Sequence, residues 1–222
     1  MKNKVRLPGE VALAMGLLLI SFAVTLMVRA DFGISTLSSL PYVLSRIFTG
    51  LSFGAWNLVF QVTLLIILLA VTKRFKAGYV ISFILTMAFG TILDIFSGLL
   101  SALPSDLWLR AFYAVAAYFI MCVAISLMIG SKVPLMIVDS FIYDLTKHHE
   151  VSFRRMKTFI DIILVCLSAA LSFVFLGTLT GVGIGTIIMA LITGTGVHAA
   201  THLLREIVVI DPLSKTLGRM AA

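Results

Sequence analysis

Residues 23–46, AVTLMVRADFGISTLSSLPYVLSR, recur in diverged form at residues 124–147, AISLMIGSKVPLMIVDSFIYDLTK. This internal duplication limits the folds open to the chain more than any other feature. Laid residue on residue, Leu26 and Met27 meet Leu127 and Met128, Ser39 meets Ser140, Tyr42 meets Tyr143, and Arg46 meets Lys147. After a one-residue adjustment Ser52 and Phe53 meet Ser152 and Phe153, and Gln61 meets Asp161. Further on, Phe89-Gly90-Thr91-Ile92 faces Ile184-Gly185-Thr186-Ile187. Each copy is about a hundred residues, too long for a solenoid repeat. The chain therefore reads as one unit written twice, residues 1–106 and 107–222.

What the unit is made of follows from its apolar runs. A spanning helix needs about 20 predominantly apolar residues, and stretches 11–28, 53–71, 78–103, 109–129, 159–176 and 181–204 meet or nearly meet that length. Charged residues are 12% of the chain, against about 25% in soluble domains, and the mean hydropathy is +1.12. The expected fold is an all-α polytopic membrane protein. Two shorter segments, 33–48 and 134–146, mix apolar and polar residues and read as extra short helices, either lying on the surface or re-entrant.

Lys and Arg accumulate on cytoplasmic loops. Six crossings with both termini cytoplasmic put Lys2, Lys4, Arg6, Lys73, Arg74, Lys76, Lys132, Lys147, Arg154, Arg155, Lys157, Arg205, Lys215 and Arg219 inside. Only Arg29, Arg46 and Arg110 remain for the outer side. Letting the short segments cross would move the Lys73–Lys76 cluster outside, against the rule. Each half then has three crossings, an odd number, so the second half enters from the opposite face and the repeats are inverted. The basic N-terminus before the first apolar run resembles a signal peptide, but with more spans following and no small-residue cleavage site it reads as a retained first helix.

The net charge of +7 is explained by these loop clusters; no basic and aromatic face accompanies it, so no nucleic-acid partner is expected. Cys122 and Cys166 fall inside apolar runs and offer no disulfide framework or metal spacing. No nucleophile elbow, Walker loop or HExxH occurs, so neither an enzyme nor a cofactor is expected.

Inverted repeats related by an in-plane pseudo-two-fold suit alternating access, because exchanging the conformations of two similar halves turns an outward-open cavity inward. A charge in hydrocarbon costs about 2.5–3.5 kcal/mol on insertion scales and usually has a role. Asp94, among Gly90, Thr91, Ser97 and Gly98, is the deepest acid by sequence and the first candidate for charge coupling, the other reading being a cap or buried pair. Asp161 follows Lys157 by four residues and shares its helix face, as an interfacial ion pair or as part of the pathway. Asn57 and Gln61, also four apart, face one way, and Gln61 with Asp161 is expected at the repeat interface. Asp139, Ser140, Tyr143 and Asp144 form an acidic, hydroxylated face whose counterpart, Ser38, Ser39, Tyr42 and Val43, carries no acid. If the short helices are re-entrant these faces bracket a solute; on the surface they are merely solvated.

Other polar features have plainer readings. Gly33 after the Arg29–Asp31 pair reads as a helix C-cap, and Pro134 holds the matched turn. Gly177, Gly181 and Gly185, spaced by four, suit close helix packing. His198 and His202 have metal-sharing spacing without a third ligand type adjoining, so no metal site is assigned.

The sequence resembles the YczE/YyaS/YitT group of bacterial integral membrane proteins. The resemblance rests on the basic N-terminus, the Ala30-Asp31-x-Gly33-x-Ser35 turn and the Phe89-Gly90-Thr91-x-x-Asp94 patch, and extends over nearly the whole chain. It implies a multi-helix protein of the bacterial cytoplasmic (inner) membrane and supplies no site residue. The expected function is a small secondary-type transporter moving a small solute or ion. The alternatives are a substrate-binding subunit needing an energising partner and a non-transporting scaffold; the lipid bilayer, the solute and a second copy of the chain are the partners considered.

Overall fold

A computed structural model describes residues 5–133 and 136–211. Lys2, Lys4, Pro134, Lys215 and Arg219 lie outside the described residues. The order is β1 (Val5–Pro8), α1 (Gly9–Ala30), α2 (Thr36–Ile47), α3 (Phe53–Thr72), α4 (Gly78–Leu100), α5 (Leu107–Gly130), α6 (Ile137–His149), α7 (Phe153–Leu176), α8 (Ile184–Ile207) and β2 (Val208–Asp211). A long helix, a short one and two long ones therefore occur twice. The six long helices are long and apolar enough to cross a membrane, which makes this a multi-pass membrane protein. Helices suit that solvent because they satisfy every backbone polar group within the segment.

The paired α1 and α5 form the centre. They run antiparallel: Gly16 near the start of α1 lies against Ala124 and Met128 near the end of α5, while Arg110 at the start of α5 donates from Nε to the Ala30 carbonyl at 2.9 Å. A β-carbon on Gly16 would sit 2.6 Å from Met128 Cγ and 3.0 Å from the Ala124 carbonyl oxygen, so the small residue permits this close crossing. Around the pair, α4 packs on α1 and α8 on α5, while α2 packs on α7 and α6 on α3. The main apolar core joins α1, α3, α4, α6 and α7 through residues such as Leu17, Phe60, Phe89 and Ile142; a second cluster, including Met27, Tyr113 and Ala117, glues α1 to α5.

Three observations depart from the sequence reading. β1 and β2 pair in parallel, Val5 opposite Val208 and Pro8 opposite Asp211, so two short strands join an otherwise helical chain. They tie the start of α1 to the end of α8, which an even number of crossings requires. Second, the match of Phe89–Ile92 to Ile184–Ile187 does not hold in space: the first lies in the middle of α4, the second at the start of α8. A four-residue likeness between small and apolar residues is too weak to fix register in hydrophobic helices. Third, Gly181 and Gly183 precede α8 rather than lie in it.

The two ends of the bundle differ. At the basic end lie the β pair, the loop after α3 and the start of α7. At the far end the chain after α1 is sealed against the start of α8: Ile34 N–H donates to Gly181 O at 3.1 Å and Gly185 N–H to Phe32 O at 2.8 Å. A β-carbon on Gly183 would meet Phe32 O at 2.5 Å, so glycine is what lets the two backbones touch.

Candidate functional site

The short helices α2 and α6 do not lie on the surface of the bundle. Each begins between the long helices and runs back to the end from which its chain entered. The first turn of α6 meets Gln61 near the middle of α3 and Thr86 within α4. Gln61 Oε1 accepts from Val138 N–H at 3.2 Å and from Thr86 Oγ1 at 3.1 Å, and Thr86 Oγ1 accepts from Ile137 N–H at 3.4 Å. Gln61 Nε2 donates to Asn57 Oδ1 at 2.7 Å, which holds the amide in place. Met136, the residue before α6, has no capping oxygen, so two side chains from other helices satisfy the amide groups that every helix start leaves open.

The first turn of α2 is met in the corresponding way by α7. Thr36 Oγ1 donates to Asp161 Oδ1 at 2.9 Å, and Lys157 Nζ donates to the two oxygens of Asp161 at 3.1 and 2.9 Å. Ser39 Oγ lies 2.9 Å from Ser168 Oγ. Gln61 and Asp161, matched in the duplicated sequence, thus each hold the start of the other half's short helix.

Beside these two helix starts lies a cavity of about 1850 Å³ that reaches the basic end and has α7 and α8 among its walls. Asn57, Gln61, Asp139, Tyr143 and Asp161 line it; Asp94 and Tyr42 do not. Its rim carries Lys76, Lys132, Arg154 and Lys157. Asp144 is buried and accepts from Lys76 Nζ and from Tyr79 Oη, the latter at 2.6 Å. Tyr143 is exposed under Lys147, whose Nζ lies 4.4 Å from the ring centre. Asp139 differs from its acidic neighbours, since its carboxylate has no hydrogen bond or ion pair among the described residues.

Asp94 occupies another place. Its carboxylate accepts from Ser52 Oγ at 2.5 Å and from Gly54 N–H at 2.7 Å, so it caps α3, where the partial positive charge of a helix start favours an anion. Tyr42 stacks edge-on against Phe53 at 5.4 Å and packs on Gly181. Of the histidines, His198 lines the cavity and His202 lies 3.7 Å from Glu206. No group of three metal-ligating side chains occurs among the described residues.

Thr36 and Thr86 escaped the sequence reading. Ser82, Thr86 and Gly90 recur at four-residue intervals, and that small polar stripe in an apolar helix was the available signal for Thr86. Nothing local marks Thr36, whose role depends on α7 lying beside it.

A model of a family of unknown function, DUF6198, matches residues 8–202. The chain belongs to the DUF6198 family. No curated protein and no solved structure matches it. The DUF6198 match runs from the end of β1 into the last turns of α8, so it takes in both short helices and the cavity.

Proposed function

We propose that this DUF6198 protein is a small secondary-type transporter that moves a small solute or ion by alternating access between two inverted halves. In this reading it sits in the bacterial cytoplasmic membrane, the location that the likeness to the YczE/YyaS/YitT group implies, with the basic end and both termini inside. The antiparallel α1 and α5 and the exchange-related pairs α1–α4 with α5–α8 and α2–α7 with α6–α3 support inversion. Half-helices that start at mid-depth are tolerated in membranes where they are buried or line water, and transporters use such starts to receive solute.

The observation that carries the reading is the unequal state of the two matching hairpins. α3 packs along α4, while α7 and α8 stand apart and both wall the cavity. The apolar stretch of α8 is 6% buried, against 28% for its counterpart α4. Two similar halves in different conformations are what an inward-open state requires; exchange of the two would seal the basic end and open the far one. Asp139 and Asp161 are then the carboxylates that face the solute, and Gln61 with Asn57 the neutral polar groups.

The test is flux. The purified chain in proteoliposomes should catalyse uptake of at least one of a panel of radiolabelled small ions and acids. A bifunctional thiol reagent joining Cys166 on α7 to a cysteine introduced at Leu191 on α8 should stop it, and reduction after cleavable cross-linking should restore it. Undiminished flux in the cross-linked protein would refute alternating access through this cleft. Uptake that appears only with an added ATPase module would replace the reading with that of an energised subunit.

A further inference from the structure

We propose that a second cavity, at the far end, is a binding site for an anionic group, a phosphate or a carboxylate. This cavity of about 650 Å³ is lined by Arg29, Arg46 and Arg110, with Asp31 the acid among the described lining residues. Small-molecule sites typically span about 300–1,000 Å³. These three arginines are the basic residues that the loop-charge pattern leaves at this end, and all three converge on one concavity. A scatter of interfacial anchors facing lipid headgroups has no reason to do so.

The cations are not matched by acids. Arg110 Nη2 donates to Asp31 Oδ2 at 3.0 Å, which uses the carboxylate. Arg29 donates from Nη2 to the Leu103 carbonyl, and its buried Nε has no hydrogen-bond partner among the described residues. Arg46 forms no hydrogen bond or ion pair among the described residues, and the Tyr42 hydroxyl also lacks a hydrogen bond there. Two guanidinium groups with unspent donors, joined by tyrosine and serine hydroxyls, present the planar donor pattern that matches carboxylate and phosphate oxygens. Arg46 is exposed at the cavity mouth, while Arg29 Nε is buried, and proteins rarely leave a buried donor unpaired without a use for it.

The site lies just outside the Phe32–Gly185 seal. Its arginines are opposite in charge to the Asp139 and Asp161 carboxylates of the large cavity, so this is a site separate from the solute site of the transport reading. The binding claim itself does not need transport.

The experiment uses the full chain in nanodiscs of zwitterionic phosphatidylcholine, titrated calorimetrically with inorganic phosphate and, separately, with succinate. Saturable binding of at least one is expected. Arg46→Gln should weaken it about tenfold, the size of a lost charge-assisted hydrogen bond, with the melting temperature unchanged because Arg46 has no structural partner. Arg46→Lys should fall between. No saturable binding of either probe, or equal affinity in Arg46→Gln, overturns the site. Loss of the phosphate signal when the nanodiscs contain anionic phosphatidylglycerol, restored in phosphatidylcholine, supports the site and names a lipid headgroup as a competing occupant. Anion binding without flux keeps the site and removes the transport reading; flux of a cation without anion binding does the reverse.

Discussion

The hairpin α3–α4 and the hairpin α7–α8 occupy matching places in the duplicated chain, yet one is clasped and the other open. In the first, Gly54 and Gly90 bring two backbones together so tightly that a β-carbon on Gly54 would lie 1.9 Å from the Gly90 carbonyl oxygen. Asp94 then ties the crossing to Ser52 and Gly54. In the second, position for position, Ser152 is kept but Arg154 stands where Gly54 would be. Aligned by helix starts, Ala200 replaces Asp94 and Gly196 replaces Gly90. Gly196 is spent on α5, against the Tyr118 hydroxyl and Cys122 Sγ. A large exposed cation and a missing acid leave α7 and α8 without the clasp that holds α3 on α4, and the lesson is that two helix sets of the same order can hold unequal conformations through a few contact residues.

The comparison breaks most severely at the glycine crossing. Gly54→Ala should lower stability by about 3 kcal/mol, the upper range for overpacking a tight contact, read as a fall in melting temperature in detergent. Gly194→Ala on the open α8, where a β-carbon meets nothing within 4 Å, should instead leave the protein unchanged or raise stability by about 0.5–1 kcal/mol, the helical preference of alanine over glycine. Equal losses in the two variants would mean that α8 is as tightly packed as α4.

Next in size is the pair that holds the half-helices. Gln61→Leu strands the Val138 amide and the Thr86 hydroxyl in a buried site and should cost about 2 kcal/mol or more. Asp161→Asn, in the half whose cavity admits solvent, should cost below about 1 kcal/mol, because Lys157 is partly exposed and such pairs contribute little. Thermal melts of the two single variants decide the ordering. Asp94→Ala should sit between them, at about 1–2 kcal/mol for a lost helix cap, and should leave the affinity of the large cavity for any solute it binds intact. A change in solute affinity without a change in stability would return Asp94 to the pathway.

The smallest effect is kinetic. Cys166 is exposed on α7 and Cys122 is buried on α5, so a charged thiol reagent should modify Cys166 and spare Cys122, as mass spectrometry would show. The double variant Arg154→Gly with Ala200→Asp, which copies the first hairpin's clasp into the second, should slow Cys166 labelling. Unchanged labelling would show that bulk and charge at these positions do not hold α7 and α8 apart.

Much of the fold was legible because membrane solvent imposes strong rules on a chain. Six apolar runs, the placement of basic residues and a duplicated stretch announce long helices, their number and a two-part plan. The pairing of Gln61 with Asp161 in the repeat led only to the expectation of both at the repeat interface; that Gln61 holds the start of α6 and Asp161 that of α2 was not legible there. Asp94 shows where this legibility stops. An acid inside an apolar run announces that something needs a charge, but a capped helix and a solute pathway make the same demand on sequence.

The sequence by itself determined the helices, because hydrogen bonding within a segment and apolar side chains facing lipid are local requirements. Tertiary structure alone decided that α2 and α6 start inside the bundle, that Thr36 and Thr86 serve those starts, that three arginines share one concavity and that one hairpin is open. Each of these depends on which helix lies beside which. In lipid, where apolar surface does not discriminate between neighbours, that choice rests on a handful of glycines and polar contacts distant in sequence.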